Sequence, residues 1–152
     1  MPSTSTTTVQ RPIHFLLVED EQAHAELVLM SLDDNQVTNT IEHVTDGELA
    51  LAYLRNEGVF AESTRPDVIL LDLKLPKVDG LEVLEQIKAD EQLCTIPVVI
   101  LTTSANEADR EKAYKHHVNS FVTKPVDFSK FQQMVKDLSL YWTVWNQPPV
   151  SS

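Results

Sequence analysis

Four stretches of the chain are almost wholly apolar: IHFLLV (13–18), DVILLDL (67–73), PVVILTT (97–103) and SFVT (120–123). TIEHV (40–44) is a fifth, more alternating candidate. The first three long runs are nearly continuous in aliphatic residues, as strands covered on both faces are. Between the runs, apolar positions recur at helical spacing. Ala23, Leu27 and Met30 share one face, as do Leu49, Ala52 and Tyr53, and Leu81, Leu84 and Ile87. Gly80 is expected to begin the third helix. The last stripe is the most regular: Phe128, Phe131, Val135, Leu138 and Trp142, with Asp127 placed to cap its start.

Strand and helix therefore alternate five times. That order predicts an α/β fold, a doubly wound five-stranded parallel sheet with helices on both faces and right-handed crossovers. One folded domain is expected over residues 13–145. Residues 1–12 (MPSTSTTTVQRP) are expected to form a disordered lead-in and residues 146–152 a tail beyond the break at Pro148 and Pro149.

Composition narrows the chemistry. The net charge is −11, from 23 acidic and 12 basic residues. Phosphate backbones and anionic membrane surfaces would be repelled, so neither nucleic acid nor membrane is an expected partner. The chain carries one cysteine, Cys94, so no internal disulfide framework is possible, and a reducing, cytoplasmic setting suits it. No apolar run is long enough to span a bilayer, and the first residues lack the apolar core of a signal peptide.

Asp72 is the position that asks for explanation. It follows four aliphatic residues, and a charge is costly to bury unless it is paired, protonated or metal-bound. In doubly wound sheets ligands bind beyond the carboxyl ends of the strands where the strand order reverses. For the order 2-1-3-4-5 that point lies between strands one and three. Strand one ends in Glu19-Asp20, strand three at Asp72, strand four at Thr102 and Thr103, and strand five at Lys124-Pro125. Taken singly, Asp20 reads as a helix cap, Thr102 as a strand end and Lys124 as a loop lysine. Taken together, four strands deliver polar residues to one edge. Three carboxylates within about 4–6 Å would repel by several kcal/mol, which calls for a cation. Oxygen ligands with no neighbouring thiolate or imidazole favour Mg²⁺ over zinc; calcium fits the same oxygens, but the spacing of its helix-loop-helix site is missing. Lys124 adds a positive charge and Thr102 a hydroxyl donor. The set suits phosphoryl transfer to a positioned nucleophile.

In LLVEDE, in VILLDLKLP followed by VDGLEVL, in VVILTTS and in SFVTKP the sequence resembles the receiver domains of two-component response regulators. It is most similar to the single-domain regulators of phytochrome-type histidine kinases. The resemblance implies a flavodoxin-like receiver that is not an enzyme in the usual sense, catalysing only its own phosphorylation and slow autodephosphorylation. Asp72 would accept a phosphoryl group from a partner histidine kinase. Asp20, Asp72 and the Lys74 carbonyl would hold Mg²⁺, with Glu19 acting through water. Thr102 and Phe121 would be the switch pair, and Lys124 would meet a phosphoryl oxygen. Glu19 stands where an aspartate is commoner, and Thr103 where a smaller residue is frequent.

Other classes fare worse. A magnesium phosphatase would need a general acid two residues after Asp72, and Lys74 cannot serve. Nucleotide-binding glycine loops are missing, and three glycines cannot build one. A structural domain with a degenerate site conflicts with the intact acidic set. His14, His24, His43, His116 and His117 fall on no recognised motif. Met134, Tyr141 and Trp145 lie on a second face of the last helix, which suggests a homodimer through that helix and its extension.

Overall fold

A computed structural model describes residues 13–33, 39–102, 107–118, 120–123 and 133. Five strands, β1 (Ile13–Val18), β2 (Asn39–Val44), β3 (Val68–Leu71), β4 (Val98–Thr102) and β5 (Ser120–Thr123), form one sheet. Its order is β2-β1-β3-β4-β5, and every pairing is parallel. Helices α1 (Gln22–Asp33), α2 (Gly47–Leu54), α3 (Gly80–Ala89) and α4 (Glu107–Lys115) provide the crossovers among the described residues.

The near-continuous apolar runs follow from burial on both faces. Leu16, Val18, Ile69, Leu71, Val98 and Ile100 face one layer with α2, α3 and α4. Phe15, Leu17, Val68, Leu70, Val99 and Leu101 face the other, where Ala25 and Val28 of α1 cover them. Alternate residues thus serve opposite cores, and each fully buried Leu or Ile contributes about 1.5–3 kcal/mol. The outer strand β2 is less covered than the inner ones: Ile41 is half-buried against one core layer and Val44 buried in the other, while Thr40 and Glu42 are exposed.

Two helix faces differ from the sequence expectation. In α1 the buried residues are Ala25 and Val28, while Ala23 and Met30 are exposed. In α2 they are Gly47, Ala50, Leu51, Tyr53 and Leu54, with Leu49 and Ala52 half-buried. Both helices are apolar on more than one face, so spacing alone did not select the side that meets the sheet. In α3 the expected Leu84 and Ile87 are buried, Leu81 packs beside them, and Gly80 is the first helical residue after the cap Asp79. The stripe from Phe128 to Trp142, the cap Asp127 and the second face with Met134, Tyr141 and Trp145 lie outside the described residues.

Candidate functional site

Strand pairing runs one residue past β1 and β3. The Glu19 amide donates to the Val44 carbonyl and the Asp72 amide to the Val18 carbonyl, each at 3.1 Å. With Val18 opposite Leu71 in the register, Glu19 and Asp72 follow side by side. Asp20 is the next residue of the β1–α1 loop. One ligand atom from each of Glu19, Asp20 and Asp72 can be chosen so that all lie within 4.8 Å of one another. Glu19 and Asp72 are buried, at 1% and 8% exposure, whereas Asp20 is exposed. This is the point where the strand order reverses, as the sequence reading expects.

The carboxylates are oriented by the backbone around them. Asp72 Oδ1 accepts from the Lys74 amide at 3.2 Å, folding the β3–α3 loop back over the site. Glu19 Oε2 accepts from the Glu21 amide at 3.3 Å. The loop after β1 is tied to β2 by His43, whose Nε2 donates to the Glu19 carbonyl at 2.8 Å. That nitrogen is therefore occupied and is not offered to a metal. Like charges gathered at this depth repel strongly, and a divalent cation relieves the repulsion. The donor set is all oxygen, from three carboxylates, so the residues present fit a hard cation of the magnesium and manganese type.

Thr102, the last residue of β4, is fully buried, and Phe121 in β5 is 8% exposed. Phe121 pairs with Ile100 and Thr123 with Thr102. The Arg110 guanidinium carbon of α4 stands 5.8 Å from the centre of the Phe121 ring, within cation–π range. Lys124 and Thr103 lie outside the described residues. His43 reaches the acidic site through its hydrogen bond to the Glu19 carbonyl, and sequence spacing gave no hint of it. Asp46 and Lys77 were equally unforeseen. Asp46 ahead of an apolar helical run is a capping signal, but its pairing with Lys77 depends on the fold.

The family model for the response regulator receiver domain matches residues 15–136. A probable methanogenesis regulatory protein, FilR2 of Methanothrix harundinacea, is 47% identical over 139 residues, covering 91% of this chain and 88% of that one. Response regulator Rcp1 of Synechocystis sp. is 42% identical over 131 residues, 86% of this chain and 89% of Rcp1. A solved structure of Rcp1 in its Mn²⁺-bound form aligns with a TM-score of 0.84 over 88% of this chain and 96% of that chain. The phosphorylated cyanobacterial phytochrome response regulator RcpA is 42% identical, with a TM-score of 0.86 over 93% of this chain and all of that chain. Motif order, strand order and the gathered carboxylates agree with these likenesses: the chain belongs to the response regulator receiver domain family.

Proposed function

We propose that this protein is a phosphorylation switch whose Asp72 takes a phosphoryl group from a histidine kinase, in a reaction that requires Mg²⁺. Receiver domains are signalling proteins that bind a divalent metal and interact with histidine kinases. The convergence of Glu19, Asp20 and Asp72 within 4.8 Å is the observation that carries the reading. An Asp72 carboxylate oxygen attacks phosphorus, the new O–P bond forms as the N–P bond to the kinase histidine breaks, and the imidazole leaves. Bound Mg²⁺ would neutralise the crowded carboxylates and the phosphoryl oxygens. Asp20, Asp72 and the Lys74 carbonyl would hold it, with Glu19 acting through water. Thr102 would donate its hydroxyl, and Lys124 would meet a second phosphoryl oxygen. Thr102 and Phe121 would then report the modified state, the ring occupying the buried position it has beside Arg110.

The likeness to RcpA supports a phytochrome-type kinase as partner, and membership of the receiver family supports a cytoplasmic setting. We assign the receiver to residues 13–145, with a homodimer formed through the last helix and its extension. Light scattering on the full chain tests the dimer: a monomer mass before and after phosphorylation overturns it. For Asp72, the chain is incubated with acetyl phosphate and its intact mass measured. One added phosphate is expected on wild type with Mg²⁺, and none on Asp72→Asn or with EDTA. Phosphate on Asp72→Asn, or an EDTA-insensitive gain, would refute the assignment.

A further inference from the structure

The loop that follows Asp72 is gripped from outside by the first turn of α2. Asp46 is buried, at 6% exposure. Its Oδ1 accepts from the Leu49 amide at 2.7 Å, capping α2, while Oδ2 faces the Lys77 ammonium at 3.8 Å. The Gly47 amide donates to the Pro76 carbonyl at 3.4 Å. Gly47 leaves no room for a side chain. A Cβ there would run into the Val78 carbonyl oxygen and stand 2.8 Å from both Val78 Cβ and Val83 Cγ2. Three consecutive loop residues, Pro76, Lys77 and Val78, therefore touch two consecutive residues at the start of α2.

The loop needs such a hold. Lys77 sits at φ 69, a left-handed conformation uncommon for a residue with a side chain, and it persists only where the surroundings impose it. At the far end, the Gly80 amide donates to the Leu73 carbonyl at 2.9 Å, and Gly80 packs directly on the Asp72 carbonyl. Between these two anchors lies Lys74, folded back on Asp72 by its amide. Apart from the Asp46–Lys77 pair, the grip is made of backbone bonds and close packing. It fixes a path of backbone.

We infer that Asp46 and Gly47 are positioning residues of the metal site: by clamping the loop at Pro76, Lys77 and Val78 they keep the Lys74 carbonyl and the Asp72 carboxylate preorganised for a divalent cation. The inference rests on the reading of Asp72 as a metal-bound phosphoacceptor. Its consequence is that a residue on a different helix, touching no metal ligand, sets metal affinity. Gly47→Ala cannot be absorbed by a side-chain rotation, because the atom it meets first is backbone of the loop itself. The loop must move.

The test is a titration of the full-length, metal-free chain with Mn²⁺, following the free ion by electron paramagnetic resonance, alongside thermal melting without metal. Gly47→Ala is expected to weaken Mn²⁺ binding ~10-fold, and Asp46→Ala several-fold, as for other groups that support metal ligands from behind. Asp46→Asn keeps an oxygen for the Leu49 amide and loses the charge facing Lys77, so it falls between wild type and Asp46→Ala. Val28→Ala, in the opposite core layer, is the control for general destabilisation and should keep wild-type affinity despite a lower melting temperature. Wild-type affinity in both Gly47→Ala and Asp46→Ala overturns the inference. So does an equal loss in Val28→Ala, which would make the effect one of stability alone. Should Gly47→Ala fail to fold, the two Asp46 variants decide by the same criterion. Failure of the wild type itself to bind Mn²⁺ overturns the underlying metal reading, and is distinguishable because it precedes any comparison of variants.

Discussion

At the edge where the strands begin, polar groups are matched donor to acceptor; at the edge where they end, carboxylates are set beside carboxylates. The first edge centres on His14 and Tyr53. The Tyr53 hydroxyl donates to the Thr64 carbonyl at 2.8 Å, so its oxygen is left to accept from His14 Nε2 at 2.7 Å. His14 Nδ1 meets the Thr40 hydroxyl at 2.7 Å, and the His14 amide donates to Asp67 Oδ2 at 2.8 Å. The Asp67 amide returns a bond to the His14 carbonyl at 2.7 Å. The second edge gathers Glu19, Asp20 and Asp72 within 4.8 Å, two of them buried. Complementary groups lower the energy of the fold, whereas like charges close together raise it. The comparison teaches how to tell a structural polar cluster from a functional one. The former matches donors to acceptors, and the latter brings like charges within reach of a single ion.

If that contrast holds, damage to the first edge costs stability and leaves the metal site alone. Tyr53→Ala removes a buried ring that stacks edge-on against Phe60 at 5.3 Å, together with both hydroxyl bonds. A loss of about 3–5 kcal/mol is expected in denaturant unfolding, with Mn²⁺ affinity unchanged in the folded fraction. A parallel loss of affinity would break the separation between the edges.

Tyr53→Phe is the finer cut, costing about 1–3 kcal/mol at neutral pH by removing two hydrogen bonds, one to half-buried His14 and one to the Thr64 carbonyl. It also carries a pH signature. Burial, and then the Glu42 charge, raise the Tyr53 hydroxyl above its usual pKa of 10.0. The unfolded chain therefore loses this proton first, and stability present below pH 10.0 declines as pH rises through that value toward the raised one. Urea midpoints across alkaline pH should fall more steeply for wild type than for Tyr53→Phe. Identical slopes would remove Tyr53 as the cause.

Much of this contrast was legible in the sequence, and the reasons are physical. A lone aspartate after four aliphatic residues, and acidic or hydroxyl residues at the ends of other apolar runs, mark one sheet edge because strand ends are easy to read. β1 and β5 end where the apolar pattern ends, at Val18 and Thr123. The faces of α1 and α2 were not legible. Ala23, Ala25, Leu27, Val28, Leu29 and Met30 surround α1 with apolar groups, and packing into the layer that holds Phe15, Leu17, Val68 and Leu70 decides that Ala25 and Val28 are covered. Nor could spacing show that His43 holds the Glu19 carbonyl or that Asp46 meets Lys77, since each pair joins segments distant in the chain. Long-range contacts are written in the fold, and only their local halves are written in the sequence.

The smallest effect bears most directly on the central claim that the acidic edge is built for a cation rather than for the fold. Asp72→Asn removes one of three crowded charges while keeping the shape and an oxygen for the Lys74 amide. Unfolding of metal-free wild type and Asp72→Asn by urea, repeated in saturating Mg²⁺, is the measurement. Without metal the variant should be more stable than wild type by about 1–2 kcal/mol, because relief of like-charge repulsion outweighs the weaker hydrogen bond. With Mg²⁺ the gap should close or reverse, since only wild type gains the full binding energy of the ion. A variant less stable than wild type without metal, and unmoved relative to it by Mg²⁺, would mean that Asp72 serves the fold and would contradict the account.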